Sequence, residues 1–488
     1  MSPFVLFSFV LCYFLVLLGV AFYTSRNSNN DTFFIGNKSS HWWLVAFGMI
    51  GTSLSGVTFI SVPGTVGDSG FGYFQVVLGY FIGYFVVAFV LLPLYYKLNL
   101  TSIYNYLDQR FGKRAYKTGV LFFIISRILG ATLRLYLVIN VLQVFILDEM
   151  GVPFHLTAVI ILLMILLYTF RGGVKTIVWT DTLQTFFMLL ALVVCVIYIL
   201  HDLNLSGSDA WTKMDGLGFT KTFGTDVLSK KYFLKQIIGG AFITISMTGL
   251  DQEMMQKNIS VKTLGDSQKN MVSFSIVLVL VNFLFLLLGG LLTIFATSKG
   301  ITIKGDDLFP TIALHSLPGF VSVIFIIGLI SALFPSADGA ITALTSSFCI
   351  DILGLKRNTK LSEEKKSRTR MTVHLCFAAV FLLLVFFFKV LNDKSIITVL
   401  LDVAGYTYGP LLGLFAFGIL TKRGLHDKWV PVVCLAAPVI CFLLHHAESV
   451  NENIFGNYQV GIEMLLINGA ITFAGLQAIS KKDQVAEK

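Results

Sequence analysis

Charged residues are scarce in this chain. Asp, Glu, Lys and Arg make up 13% of its 488 residues, whereas hydrophobic residues make up 56%. A soluble protein of this length has roughly twice that charged fraction. The scarcity excludes a soluble globular protein and predicts an all-α polytopic membrane protein, because helices satisfy their own backbone hydrogen bonds in lipid.

Cysteine is sparse too, and its placement excludes two further classes. The six cysteines all lie in apolar runs, with neither metal-ligand spacing nor a close partner. We therefore expect free thiols rather than a disulfide scaffold or a metal centre. Nucleophile motifs and phosphate-binding loops are also lacking, so we do not expect an enzyme.

Apolar runs long enough to cross a bilayer recur along the whole chain. At about twenty residues per span they predict about thirteen transmembrane helices in a single domain, residues 1–488. The runs are 3–23, 42–62, 72–96, 118–147, 153–170, 177–200, 236–256, 271–297, 317–353, 371–390, 395–420, 429–446 and 461–480.

Basic residues are concentrated in alternate connections between these runs. One side holds most of the 36 Lys and Arg residues, among them Arg26, Lys38 and Lys257. Because basic loops stay in the cytoplasm, we expect a multi-pass protein of the cell membrane (inner or plasma membrane), with its N-terminus outside and its C-terminus cytoplasmic. These loops explain the net charge of +9, so the expected partner is the lipid bilayer and not nucleic acid.

The stretch Gly48–Thr58, with the sequence GMIGTSLSGVT, interrupts one apolar run with three glycines and four hydroxyl residues. Glycine loosens a helix, and Ser and Thr can replace the lost partners of freed backbone groups. The composition predicts a helix break at residues 51–56 with carbonyl oxygens facing a cavity. A tightly packed interface of small residues is the alternative.

A second run, 236–256, is interrupted in the same way, by Gly239, Gly240 and the stretch Thr244–Gly249. It lies five spans after the first. Two interrupted helices in matching positions are typical of inverted-repeat transporters, which bind solute and ion near the middle of the membrane. The odd offset gives the two halves opposite orientations.

Two arginines lie inside the 118–147 run, where a charge costs at least ~2.5 kcal/mol on insertion scales. Arg127 and Arg134 are seven residues apart and therefore share a helix face. One or both could hold the carboxylate of a solute, or could form an ion pair with an internal Asp. Asp181, inside the 177–200 run, could bind a cation or be a helix-start acid favoured by the macrodipole.

Asp338 lies deep in the long 317–353 run, close behind Pro335 and Ser336. Pro335 has no N–H, so the carbonyl of Ser331 loses its helical partner. That carbonyl, Ser336 and Asp338 together could hold a cation. A proline kink, with Asp338 paired to Arg127 or Arg134, is the alternative.

Further polar residues are candidates for solute contact. Asp251 follows the second break and could face the solute, whereas Glu253 lies closer to the inner end and could be only a surface residue. Gln75 lies early in the third run and is a candidate hydrogen-bond partner of the solute. A packed contact between helices is an equal alternative. The stretch Tyr406–Pro410 interrupts another run and could line or gate the path.

Taken in order, these motifs resemble those of the sodium/solute symporter family, which includes the sodium–glucose, sodium–proline and sodium–sialic acid transporters. The motifs are Gly51–Gly56, Tyr168–Gly173 leading into Trp179–Gln184, Gly249–Gln252 with Gln256, the 331–351 stretch ending in Asp351, and Tyr406–Gly413. The resemblance covers nearly the whole chain. It implies a LeuT-like five-plus-five inverted repeat, with one extra helix before it and two after it. The repeats would cover about 42–200 and 236–420, and the extra helices 3–23, 429–446 and 461–480.

The resemblance also implies a sodium ion (Na+) between the first broken helix and the 317–353 helix. Its ligands would be the carbonyl oxygens of Gly51, Leu54 and Ala332 and the hydroxyl of Ser336. The family usually has two adjacent hydroxyl residues at 335 and 336, and Pro335 departs from this pattern. Some members have a second cation site, which would fall here on Asp181 and Asp338.

We therefore expect a secondary active symporter that imports a small polar organic solute by alternating access, driven by the sodium gradient. The solute would be a carboxylate-bearing sugar acid, an amino acid or a sugar. Expected solute contacts are Ser53, Ser55, Thr58, Gln75, Arg127, Arg134 and Asp251. The alternative is a proton-coupled symporter of the same fold that uses Asp181 and Asp338.

Overall fold

This computed structural model of the chain describes residues 2–24, 40–100, 102–357, 360–391, 396–450 and 457–481, apart from a few side chains that include those of 170–175. The predicted connection that carries Arg26 and Lys38 lies outside the described residues. The same holds for the tail that follows Lys481.

The described residues are overwhelmingly helical. The helices of eight residues or more are α1 (Pro3–Thr24), α2 (Trp42–Ser53), α3 (Gly56–Gly64), α4 (Phe74–Val86), α5 (Lys113–Leu142), α6 (Phe154–Asp202), α7 (Gly207–Gly216), α8 (Phe233–Thr244), α9 (Gln252–Ile259), α10 (Leu264–Lys299), α11 (Gly319–Ser347), α12 (Glu363–Leu391), α13 (Ile396–Thr407), α14 (Gly409–Leu420), α15 (Val430–Val450) and α16 (Met464–Ala478).

Shorter segments extend or connect these helices. They are the α-helical Val66–Ser69, Leu92–Lys97, Asn105–Arg110 and Leu308–Thr311, the 3-10 turns Gly305–Asp307 and Asp427–Trp429, and the π-helical Val87–Leu91, Gln143–Leu147, Ile245–Gly249, Ile312–Ser316 and Phe348–Ile352. Two two-residue strands, Gly424–Leu425 and Ser480–Lys481, form an antiparallel pair.

Eight of the helices in the described part of the chain are long and apolar enough to cross a membrane. Three bent pairs of helices pass the same test together, and two shorter apolar helices, Phe154–Thr169 and Met464–Ala478, lie at two other predicted runs. The chain is thus an all-helical protein with multiple candidate spans. The number of about thirteen spans stays a prediction.

The runs predicted at 153–170 and 177–200 both fall within one helix, α6. No proline occurs between residues 154 and 202, so nothing forces the backbone out of the helical path there.

The first broken helix consists of α2 and α3, which are bent by 53°. The break is narrower than the predicted 51–56, because α2 continues through Ser53 and only Leu54 and Ser55 are non-helical. The second broken helix bends by 65° between Gly249 and Gln252, and a third pair bends by 46° at Tyr408.

Glycines of the first broken helix also allow close packing. A Cβ added to Gly51 would overlap Thr185 Oγ1 of α6, and one added to Gly56 would overlap Val138 of α5. At Gly48 the added atom would lie 3.3 Å from the Cβ of Asp181. The small-residue interface, considered above as the alternative to a break, is therefore present together with the break.

Helix α11 lies at the centre of the bundle. It is buried almost continuously from Val321 to Ser347, and it packs against α5, α6 and both halves of the first broken helix. Outer helices expose large apolar side chains instead, such as Leu15, Leu383 and Leu420. This arrangement suits a lipid-facing surface around a polar interior.

Side-chain caps stabilise the first turns of two helices, α9 inside the bundle and α7 in a connection outside the apolar runs. Asp251 caps α9 through the backbone amides of Glu253 and Met254. Ser206 and Asp209 form a capping box at α7, and hydrogen bonds from the Ser206 hydroxyl and amide lower the pKa of the exposed Asp209 carboxyl. Such caps satisfy amides that the first helical turn leaves without partners.

Candidate functional site

A cavity of about 100 Å³ lies against the first broken helix. Ser53, Ser55, Thr58, Arg127 and Arg134 all line it, which makes five of the seven residues predicted to contact a solute. Other lining residues are Thr52, Tyr73, Tyr80, Tyr84, Thr244, Thr248 and Asn282. The structure thus brings hydroxyl groups and two guanidinium groups together at one break in one helix.

Arg134 brings to this cavity a positive charge that forms no ion pair with any described carboxylate. The ion pairs inside the bundle, among the described residues, involve Arg127 and Lys257 and not Arg134. Its Nε atom is buried without a hydrogen-bond partner. Leaving such a donor unsatisfied costs about 1–3 kcal/mol, and more for a charged group, so an anionic ligand would be stabilised here.

Arg127 is compensated within the protein. Its guanidinium donates to the Glu253 carboxylate, and Nη1 lies 3.8 Å from Asp251 Oδ2. All three side chains are buried. The internal ion pair, considered above as the alternative to solute contact, is therefore formed, although the same arginine also lines the cavity.

Both carboxylate oxygens of Asp251 accept hydrogen bonds, and the residue does not line the cavity. Oδ1 accepts the amides of Glu253 at 2.9 Å and Met254 at 3.3 Å. Oδ2 accepts the hydroxyl of Tyr408 at 3.1 Å. These contacts join the second broken helix to the third bent pair.

Gln75 lies outside the cavity wall as well. Its Nε2 donates to the carbonyl of Gly72 at 2.9 Å, and its Oε1 accepts the amide of Gly224 at 3.1 Å. The side chain thus ties the start of α4 to the connection before α8. These hydrogen bonds are those of a packed contact within the protein, the alternative to solute contact considered above.

The first break leaves two carbonyl oxygens open. The last carbonyls of a helix have no partner within it. In the described part of the chain, the Leu54 amide bonds to the Ile50 carbonyl at 2.8 Å and the Phe59 amide bonds to the Ser55 carbonyl at 3.1 Å. No hydrogen bond to the carbonyl oxygens of Gly51 or Leu54 is formed there. Both residues were predicted sodium ligands.

The second break differs because protein hydroxyls satisfy its carbonyls. Tyr95 donates to the carbonyl of Gly249 at 2.7 Å, and Tyr104 donates to that of Leu250 at 2.8 Å. All four residues are buried. Only the first of these two breaks therefore offers backbone oxygens to a ligand.

Helix α11, which packs against both halves of the first broken helix, carries a hydroxyl that is also without a partner in the described structure. Ser336 is buried, and its Oγ has no hydrogen-bond partner in the described structure. Ala332 lies one turn earlier and shares its helix face. Pro335, inside the helix, removes the N–H that the Ser331 carbonyl would accept. Open carbonyls and an orphaned hydroxyl are hard oxygen donors of the kind that small, hard cations prefer.

A lysine ammonium lies at the position predicted for a second cation. Lys257 Nζ is 2.7 Å from Asp181 Oδ2, 2.7 Å from Thr52 Oγ1 and 3.4 Å from Glu253 Oε1. Lys257 is 3% exposed and Glu253 is 2% exposed. The assignments of Lys257 to a cytoplasmic connection and of Glu253 to the surface are therefore wrong.

The 65° bend of the second broken helix explains both errors. It directs α9 into the bundle, where it contacts α2, α6 and α11, rather than out toward the membrane surface. In the sequence, the four-residue spacing of Glu253 and Lys257 was the available sign that their charges pair. Residues four apart on a helix face each other and can share a charge pair.

Asp338 is satisfied without an arginine. Its Oδ2 accepts the hydroxyl of Tyr168 at 2.7 Å, and its Oδ1 accepts the amide of Gly339 at 2.5 Å. Within the described structure Asp338 forms no ion pair with Arg127 or Arg134; Arg127 pairs with Asp251 and Glu253 instead. Asp338 lies close enough to Asp181 and Lys257 to interact with both electrostatically.

The sequence profile of the sodium:solute symporter family matches residues 33–426 of the chain. The chain belongs to this family. A sodium:solute symporter is a transporter rather than an enzyme, and Na+ is its coupled ion. Membership also makes the chain a multi-pass membrane protein, as the candidate spans indicate.

Two relatives of this symporter match it over nearly their whole length. It is 24% identical to the sodium/sialic acid symporter SiaT of Proteus mirabilis, with 96% of this chain and 95% of the relative covered. It is 22% identical to the sodium/sialic acid symporter NanT of Aliivibrio fischeri, with 97% and 93% covered. A solved Na+-coupled sialic acid symporter, in a substrate-bound outward-open state, matches with a TM-score of 0.82 at 20% identity, covering 98% of this chain and 99% of that one. The last likeness shows a shared fold.

Sequence reasoning missed several residues that complete the symporter's polar interior. Thr52 donates to Asp181 Oδ2 at 3.1 Å, and the hydroxyls of Tyr73 and Tyr80 lie 3.2 Å apart in the cavity wall. Thr185 Oγ1 accepts the amide of Gly51 at 3.0 Å. The partners of Thr52 and Gly51 lie more than a hundred residues away in sequence, so nothing in the neighbouring residues indicates them.

Proposed function

We propose that this symporter imports a small polar solute that bears a carboxylate, together with sodium, by alternating access. Arg134 carries the proposal. It lines the cavity, its charge has no carboxylate partner among the described residues, and its Nε is buried and unsatisfied. A planar guanidinium binds a carboxylate through two parallel hydrogen bonds.

The cavity wall favours a sugar acid over the other solutes expected from the sequence. Its described lining contains Arg127 and Arg134 but neither Asp nor Glu. The ammonium group of an amino acid would therefore lack a counter-charge, and a neutral sugar would leave Arg134 uncompensated. Ser53, Ser55 and Thr58 supply hydroxyls for a polyhydroxy solute. The relatives SiaT and NanT, both named as sialic acid symporters, support this class.

We further propose that sodium binds at the first break, between the carbonyl oxygens of Gly51, Leu54 and Ala332 and the hydroxyl of Ser336. The two open carbonyls of the break and the unpartnered Ser336 hydroxyl support this assignment. Pro335 removes the second hydroxyl usual in the family, and the Ser331 carbonyl that it frees is a substitute ligand. Family membership favours sodium over the proton-coupled alternative.

Binding of ion and solute at one break explains how they are coupled. Sodium would hold the backbone at Leu54 and Ser55 in one geometry, and the hydroxyls of Ser53 and Ser55 in that segment line the solute cavity. Each ligand therefore stabilises the state that the other binds, which is a coupling free energy between two sites. The five-plus-five repeat, with the N-terminus outside and the C-terminus cytoplasmic, would then alternate between outward and inward access.

The test is uptake of labelled sialic acid into proteoliposomes that contain the full-length protein. We expect an inward sodium gradient to drive accumulation, and a sugar acid to compete better than glucose or an amino acid. Arg134→Gln should weaken solute affinity by at least about 30-fold, since losing one partner of a buried charge pair costs about 2–5 kcal/mol. Arg368→Gln, at a side chain that is 77% exposed, is the matched control.

Each part of the proposal can fail separately. Uptake that ignores sodium and follows a proton gradient would refute the assignment of the coupled ion. Equal competition by glucose, with solute affinity unchanged in Arg134→Gln, would refute the carboxylate. Downhill uptake without accumulation would indicate a channel rather than a coupled transporter.

A further inference from the structure

The Lys257 ammonium fills the space in front of Asp181. An ammonium group has three N–H donors, and three acceptors surround this one: Asp181 Oδ2, Thr52 Oγ1 and Glu253 Oε1. The side chain is almost completely buried. Each N–H therefore has a partner, and the group has no need of water or of an added ion.

We infer that Lys257 is a tethered cation that takes the place of a second sodium ion, so that the symporter couples one sodium ion to each solute. The inference rests on the proposed function, because it assumes that the first sodium binds at the break of α2 and α3. It revises the sequence-based expectation of a second cation site on Asp181 and Asp338.

The two carboxylates of that expected site already accept hydrogen bonds from groups of the protein. Both oxygens of Asp338 accept hydrogen bonds, from Tyr168 and from its neighbour Gly339. Asp181 Oδ2 accepts Lys257 and Thr52, and only its Oδ1 is buried without a hydrogen-bond partner. An ammonium 2.7 Å from the sister oxygen repels any cation that approaches Oδ1, and low dielectric strengthens that repulsion.

The position of Lys257 makes it relevant to transport as well as to stability. Thr52 lies in the last turn of α2, between the predicted sodium ligands Gly51 and Leu54. Lys257 lies on α9, the second half of the other broken helix. The ammonium therefore links the two breaks, as an ion between them would do. Because the charge is covalently attached, it never leaves with the solute and adds nothing to the sodium that each cycle uses.

Removal of the Lys257 charge should create a binding site for a second sodium ion. Lys257→Gln would leave Asp181, Glu253 and Thr52 as oxygen ligands around an emptied position. Glu253 would keep Arg127, whereas Asp181 would become a buried carboxylate without an ion-pair partner. Such a carboxylate is strongly disfavoured, and sodium in the buffer is the available cation. The variant should therefore bind one more sodium ion than the natural chain.

The experiment measures the number of sodium ions bound per chain, with radioactive sodium on purified full-length protein in lipid nanodiscs. We expect one ion for the natural chain, two for Lys257→Gln, and one again for Lys257→Gln combined with Asp181→Asn. Lys269→Gln removes a lysine charge from a side chain that is 68% exposed. This matched control should bind one ion.

The outcomes separate this inference from the proposed function. Two ions bound to the natural chain would refute the tethered cation and leave sodium coupling intact, whereas no bound sodium would refute the proposed function itself. A single ion in a folded Lys257→Gln would also refute the inference. If Lys257→Gln fails to fold, Asp181→Asn in the natural chain decides: we expect one bound ion, and a loss of sodium binding would show that Asp181 holds the ion instead.

Discussion

The Tyr104 hydroxyl donates a 2.8 Å hydrogen bond to the carbonyl oxygen of Leu250, and both residues are fully buried. This contact closes one carbonyl of the second break, whereas the equivalent oxygens of the first break remain open. The two broken helices thus differ in the hydrogen bonding of their backbone carbonyls. Among the described residues, the carbonyl oxygens of Gly51 and Leu54 accept no backbone hydrogen bond, whereas those of Gly249 and Leu250 accept tyrosine hydroxyls.

Tyr104→Phe should therefore destabilise the protein without weakening sodium binding. The change leaves the Leu250 carbonyl buried and unpaired, which costs about 1–3 kcal/mol. Thermal unfolding in detergent should show a lower midpoint, while the sodium affinity of the folded protein stays the same. Tyr23→Phe, at a side chain that is 77% exposed, is the control. A tenfold loss of sodium affinity in Tyr104→Phe would contradict the assigned division between the breaks.

Ser336→Ala should weaken sodium binding and spare the fold. The hydroxyl has no hydrogen-bond partner among the described residues, so its removal breaks no hydrogen bond there. We expect the sodium dissociation constant to rise about tenfold, equivalent to about 1.4 kcal/mol, with solute uptake restored at high sodium. Ser8→Ala, at an exposed serine of α1, controls for the substitution. Unchanged sodium affinity in Ser336→Ala would remove Ser336 from the ion site.

The two arginines of α5 should respond to the same substitution in different ways. Arg127→Gln leaves Glu253 and Asp251 buried with too little counter-charge, which costs about 3–5 kcal/mol of stability. Arg134→Gln removes an uncompensated charge, so stability should hold while solute affinity falls. Arg357→Gln is the control for Arg127. It breaks the pair with Asp108 in which the arginine is 58% exposed, and such pairs contribute about 0–1 kcal/mol.

Thermal unfolding and solute titration of the same preparations distinguish the two arginine effects. A stable Arg127→Gln protein would show that the ion pair with Glu253 does not support the fold. A strongly destabilised Arg134→Gln protein would show that Arg134 has a structural partner rather than a solute.

Gly51→Ala should destabilise the contact between the first broken helix and α6. The added Cβ would overlap Thr185 Oγ1, and overpacking of this kind costs about 1–3 kcal/mol. Combining the change with Thr185→Ala should recover part of the loss. Gly19→Ala is the control, because nothing lies within 4 Å of its added Cβ. A Gly51→Ala protein as stable as the control would contradict the packing role of this glycine.

The first break and the cavity could be predicted from the sequence because their signals are local. Glycine and hydroxyl residues inside an apolar run have few explanations in a membrane. Two arginines seven residues apart necessarily share a helix face. Both signals led to residues that the structure brings together, including Ser53, Ser55 and Arg134.

The network around Lys257 could not be predicted because it depends on long-range geometry. Counting basic residues in loops assumes that each lysine between two apolar runs reaches water. The bend after Gly249 violates that assumption and places Lys257 against Asp181, which is 76 residues away in sequence. In the same way, nothing in the residues around Gln75 indicates that its partner is the amide of Gly224.

Helix α9 is buried over its entire length, although Glu253, Lys257 and Asn258 are among its eight residues. Such a segment cannot enter lipid alone, because each charge costs about 2.5–3.5 kcal/mol on insertion scales. Its counter-charges, Arg127 and Asp181, belong to helices that are synthesised before it. During synthesis, the helices that carry Arg127 and Asp181 therefore precede this polar segment into the membrane. The order of synthesis thus limits where in the sequence such buried charges can lie.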